Sequence, residues 1–115
     1  MTKVIYEGIV PSNKNTFFTD YSALSDIVKK ELAGQEIHKI WHPGGSGEST
    51  VYHIHSRHAT LVHERDTFYR DDLPRDENTQ TRAKVIVDGS GAAVREISKL
   101  IMKAAEAYEV KKHDG

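Results

Sequence analysis

The chain has no cysteine. That removes disulfide frameworks, thiolate metal sites and cysteine nucleophiles, and it suits a reducing compartment. Proline is scarce, with three residues in 115, and tryptophan occurs once. Neither sign of charge is in excess: 16 Lys and Arg stand against 17 Asp and Glu, for a formal net charge of −1. Domains that hold nucleic acid non-specifically are usually basic, so that class is disfavoured. No apolar run approaches a membrane span, and the opening MTKVIYEGIV is too short and too polar for a secretory signal. The expectation is a cytoplasmic protein without membrane attachment. No Gly-Lys-Ser/Thr phosphate loop and no Gly-x-Ser-x-Gly elbow occur.

What remains is enough for one domain over 1–115 with a single modest core. Lys3 to Val10 is dense in β-branched and aromatic residues and reads as a strand ending at Pro11. Leu24, Ile27, Val28 and Leu32 recur at helical spacing, with Thr19 as cap, Asp20 in the first turn and Gly34 as stop. That predicts a helix over about 20–33. Ile37 to His42 reads as a second strand, PGGSGE as a turn, and Thr50 as the start of a third strand. A break near Ser56 to His58 would make a hairpin of the stretch 50–64, because one strand across it would be long for a domain of this size. Arg70 to Arg82 mixes charges without period and reads as a polar surface loop. Lys84 to Val87 is a strand, DGSG a turn with Ser90 as helix cap, and Val94, Ile97, Ile101, Ala104 and Tyr108 mark a second helix over about 91–109. Residues 111–115 read as a frayed tail.

The order implies an α+β two-layer sandwich: a mostly antiparallel sheet of four to six strands, with room for one parallel pairing, and both helices on one face.

Six of the seven histidines lie between Glu36 and Asp66. Side chains alternate along strands, so His38 and His42 share one side of the second strand, as do His53 and His55 on the third. Pairing the strands so that Ile37, Trp41, Tyr52 and Ile54 are buried together sets Trp41 opposite Thr50, His38 opposite His53 and Glu36 opposite His55. A third strand would bring His63 beside His53. The opposite face of the sheet would then be lined by imidazoles, with Ile40, Val51 and Leu61 among them. Such a half-apolar face favours covering by a second copy, hence a homo-oligomer.

Three functions follow. The first is a binding protein that holds an anionic small molecule, such as a nucleotide or phosphorylated metabolite. Its contacts would come from His42, His58 and His63 with Arg57, Arg65 and Arg70. The second is a small phosphodiesterase or nuclease with His38, His53 and His55 as acid and base. It could instead hold zinc on the same three imidazoles, with Glu36 as fourth ligand or orienter; no cofactor is required by the sequence. The third is an inhibitor or adaptor that makes contact through the charged loop 70–82. Against all three stands the plain alternative that the histidines are ordinary residues of a solvated sheet.

Overall fold

A computed structural model describes residues 1–114, with the side chains of His113 and Asp114 left out of the description. The strands are β1 (Thr2–Pro11), β2 (Gln35–Trp41), β3 (Gly47–Ile54), β4 (Ala59–Tyr69) and β5 (Thr79–Asp88); the helices are α1 (Tyr21–Glu31) and α2 (Gly91–Asp114). The five strands form one sheet in the order β1-β5-β4-β3-β2. Every pairing is antiparallel. Among the described residues no strand pair is parallel: β2 to β5 follow one another as hairpins, and β1 joins antiparallel to β5 at the far edge.

Alternation decides which side of the sheet is covered. Tyr52, Ile54, Ala59, Leu61, His63, Ala83, Val85 and Val87 are buried, and they share one side with the apolar faces of both helices. Val94, Ile97 and Ile101 of α2 and Leu24 and Val28 of α1 complete this core. Leu61 therefore belongs to the core and not to the opposite face. Among the described residues no helix packs on that other side, and Val51, Val62 and Ile86 stay half-buried beside exposed Val4.

The helix ends follow local chemistry. The α1 cap is Asp20, whose carboxylate accepts the N–H groups of Ser22 and Ala23 at 3.0 and 3.3 Å, one residue beyond the expected Thr19. Thr19 instead closes the preceding turn through Thr16. Burial opposes ionisation of Asp20, but the bonds from Ser22, Tyr108 and Ala23 outweigh it and hold its carboxyl below the usual range. At the other end the left-handed residue is Ala33, at φ 49°, and Gly34 donates to the Val28 carbonyl at 2.9 Å. Gly34 has no room for a Cβ, which would meet the Val28 side chain. The α2 cap is Ser90, as expected, accepting from Ala93 N–H at 3.1 Å. This helix continues past 109 to Asp114; Gly115 lies outside the described residues.

The polar stretch 70–82 divides. Residues 70–78 link β4 to β5, while Thr79 to Arg82 are already strand and pair with β1 and β4. Among the described residues no helix is long and apolar enough to cross a membrane.

Candidate functional site

The β2–β3 hairpin departs from the expected register. His42 N–H donates to the Gly47 carbonyl at 2.9 Å, so the turn through Gly44 and Gly45, both at positive φ, closes early. Trp41 therefore faces Glu48 instead of Thr50, and His38 faces Val51 instead of His53. A shift of this size keeps His38 and His53 on one side of the sheet but separates them along it. The register then slips at Ile37, between Glu36 and His38. Beyond this bulge Glu36 pairs with Tyr52 on the helix side, and Gln35 takes the place beside His53. Ile37 and Trp41, expected in the core, are 56% and 69% exposed, because β2 is an edge strand that neither helix covers.

The histidines disperse accordingly. His53, His55 and His58 form a file at the β3–β4 turn, with successive ring centroids 5.7 and 6.0 Å apart. His38 and Glu36 lie outside it on β2. Among the described residues, no group of three or more His, Asp or Glu side chains is arranged to hold a metal ion. His63 pairs with Thr50, not beside His53, and points into the core. Its Nε2–H donates to the Phe18 carbonyl at 2.7 Å. Burial depresses its pKa from 6.5 to about 4, with Arg65 adding to the effect and the Phe18 bond opposing it. It is a neutral tie between β4 and the loop before α1. Arg57 is bound to Glu96 of α2 at 2.7 Å, and Arg70 to nearby Asp72.

Two other arrangements gather side chains from several elements. The first is on the helix-free side. His42 places Nδ1 against the Asp66 carboxylate and Nε2 at 2.8 Å from the Ser49 hydroxyl. Asp66 comes from β4 and Ser49 from β3, so an imidazole just past the end of β2 reaches the adjacent strand and the one beyond it. The polarity of this chain, carboxylate to Nδ1 and hydroxyl to Nε2, is that of a general base set against a serine. Ser49 is only 6% exposed, so the same bonds also act as a clasp over the sheet. Gly47 permits the clasp: a Cβ there would run into the Arg65 carbonyl.

The second lies on the helix side, where the first residue of α1 meets β2 and β4. Lys39 bonds the Tyr21 hydroxyl and its ammonium lies 4.4 Å from the Tyr21 ring centroid and 5.6 Å from that of Trp41. The bond to Tyr21 holds the Lys39 ammonium above its ordinary pKa. The Arg65 guanidinium sits 5.9 Å from the Tyr21 ring and bonds Glu48 at 3.2 Å. Its Nε is buried and has no hydrogen-bond partner among the described residues. Two cations and two exposed aromatic rings thus share one edge of the protein, with Tyr21 at 46% and Trp41 at 69% exposure.

Of these residues, sequence reasoning singled out His42 and Arg65 and missed Ser49, Asp66, Tyr21 and Lys39. Strand parity puts His42 and Ser49 on one side once the turn is taken as tight, so that pair had a signal. The contribution of Asp66 depended on the β3–β4 register. No protein-family model matches the chain, and no curated protein and no solved structure matches it.

Proposed function

We propose that the protein binds an anionic small molecule carrying a planar ring, with a nucleotide as the type case, at Tyr21, Lys39, Trp41 and Arg65. The supporting observation is the exposed Trp41 ring beside the Lys39 and Arg65 cations. Trp41 is grouped with exposed Tyr21 and with Lys39, which lies near both rings, and such a grouping marks a binding surface better than a lone exposed residue does. The ring of the ligand would stack on Trp41, and its phosphate would meet the Lys39 ammonium and the Arg65 guanidinium. Glu36 and Glu48, which hold these cations, temper the field and favour a ligand of modest charge.

Because Trp41 is the sole tryptophan, intrinsic fluorescence reports on the site directly. Titration with nucleoside mono-, di- and triphosphates is expected to give saturable quenching and a raised melting temperature. Replacing Arg65 by Ala should weaken the affinity by roughly tenfold or more. A flat fluorescence and melting response across the panel would sink the reading.

A second reading is hydrolytic, favoured by the Ser49–His42–Asp66 chain. In it His42 Nε2 takes the Ser49 proton as the hydroxyl attacks the carbonyl carbon of an ester, then gives that proton to the departing alkoxide as the ester C–O bond breaks; water releases the acyl group by the same route, and Asp66 holds the ring. Covalent labelling by a fluorophosphonate probe, lost in both Ser49→Ala and His42→Ala, would support it. Folded protein that takes up no label ends it.

A further inference from the structure

The helix layer carries an open furrow. Between α1 and α2 lies a groove of about 570 Å³ floored by Ile27, Leu100, Ala104 and Ala107. A second hollow of about 460 Å³ continues it toward Phe17 and Tyr108 and shares Ile27, Ala104 and Ala107. Small side chains at 104 and 107 keep α2 from filling the space against α1. The two walls differ in sign. On the α1 side stand Asp20, Asp26 and Glu31; on the α2 side stand Lys99, Lys103 and Lys111. Lys29 and Lys30 of α1 are exposed but do not line the groove, and Glu96, at one end of the basic wall, is tied to Arg57.

We infer that this furrow is the interface of a homodimer. A long apolar groove between helices is the form that receives another helical surface. The charge pattern selects which one. A two-fold axis along the furrow lays the α1 of one copy over the α2 of the other, so each acidic wall meets a basic wall, and it does so twice. A two-fold axis across the furrow would set acid against acid. A strongly acidic or strongly basic partner would match one wall and oppose the other, whereas a second copy carries the matching pattern by identity. The helix-free side lacks this self-complementarity: its central charged row reads Glu7, Lys84, Glu64 across β1, β5 and β4, and folding it upon itself sets Lys84 against Lys84.

Sedimentation across a dilution series tests this, with thermal melting of each variant as the folding check. The wild-type chain is expected to sediment as a dimer that salt weakens. Reversing the basic wall, Lys99→Glu with Lys103→Glu, should weaken the dimer roughly tenfold or more. Adding Asp26→Lys and Glu31→Lys to that variant should restore it, a rescue that a misfolded protein cannot give. A monomer at every concentration overturns the inference. So does a dimer indifferent to wall reversal, or one that is broken instead by Val62→Arg on the helix-free side. A monomer that binds an added amphipathic helix in the furrow would assign the groove to a different partner, and would equally overturn it.

Discussion

The two sides of the sheet are made from the same strands yet do different work. The covered side takes Tyr52, Leu61, Val85 and Val87 into a core with Ile97 and Ile101. The helix-free side carries Val51, Val62 and Ile86 at partial burial, with ion pairs such as Arg82–Glu7 at 3.0 Å and the His42 clasp among them. Each side also holds one structural histidine. His63 is buried and neutral, bonded to a backbone carbonyl; His42 is bonded by its two ring nitrogens to side chains of β4 and β3. Alternation assigns a residue to a side, but only the helices decide what that side means energetically.

The contrast can be pressed hardest at Leu61. Leu61→Ala leaves a void under both helices and should cost about 2–5 kcal/mol in chemical denaturation. A smaller loss would mean the helices close over the gap. Next comes acid. The folded-state pKa of His63 lies below its unfolded value, so the unfolded chain binds more protons between the two. Stability should be full above pH 6.5 and fall as pH drops toward about 4, by up to about 3 kcal/mol at roughly 1.4 kcal/mol per pH unit. His63→Gln, which keeps a donor for the Phe18 carbonyl, should flatten that slope; an unchanged slope would place the titrating group elsewhere. A matched pair then compares the sides directly. Val85→Thr buries a hydroxyl and should cost about 2 kcal/mol, while Val62→Thr should cost about 0.5 kcal/mol. Equal costs would mean that the second side is covered in solution. Smaller than the Val85 effect is that of the clasp: His42→Ala should cost about 1 kcal/mol and expose Ser49, read as faster deuterium exchange at β3.

The layers and their order were legible because they rest on local signals. The 3.6-residue period of Val94, Ile97 and Ile101, the Ser90 cap and the Pro43–Gly45 turn each act within a few residues. The site was legible only in part. Trp41 alternates correctly with the core residues of β3, but whether a helix lies above it depends on which strand ends at the sheet edge. The imidazoles of His38 and His53 were expected side by side, and an early-closing turn moved them apart. The Ile37 bulge then carried Glu36 to the helix side. Neither event leaves a mark in composition or period. Asp66 and Arg65 reach their partners across strand pairings, and such pairings are set by the whole meander.

The place of β1 has a consequence in time. β2, β3, β4 and β5 are joined in succession, so each pairing among them closes a short loop. β1 must find β5 across nearly the whole chain: Thr2 bonds Asp88, 86 positions away. Closing a long loop costs more entropy, and that cost falls before the contacts repay it. The meander is therefore the part that can nucleate, and β1 the strand that seals it. A substitution at Val4 should hasten unfolding and leave the folding rate nearly unchanged, whereas one at Leu61 should slow folding itself.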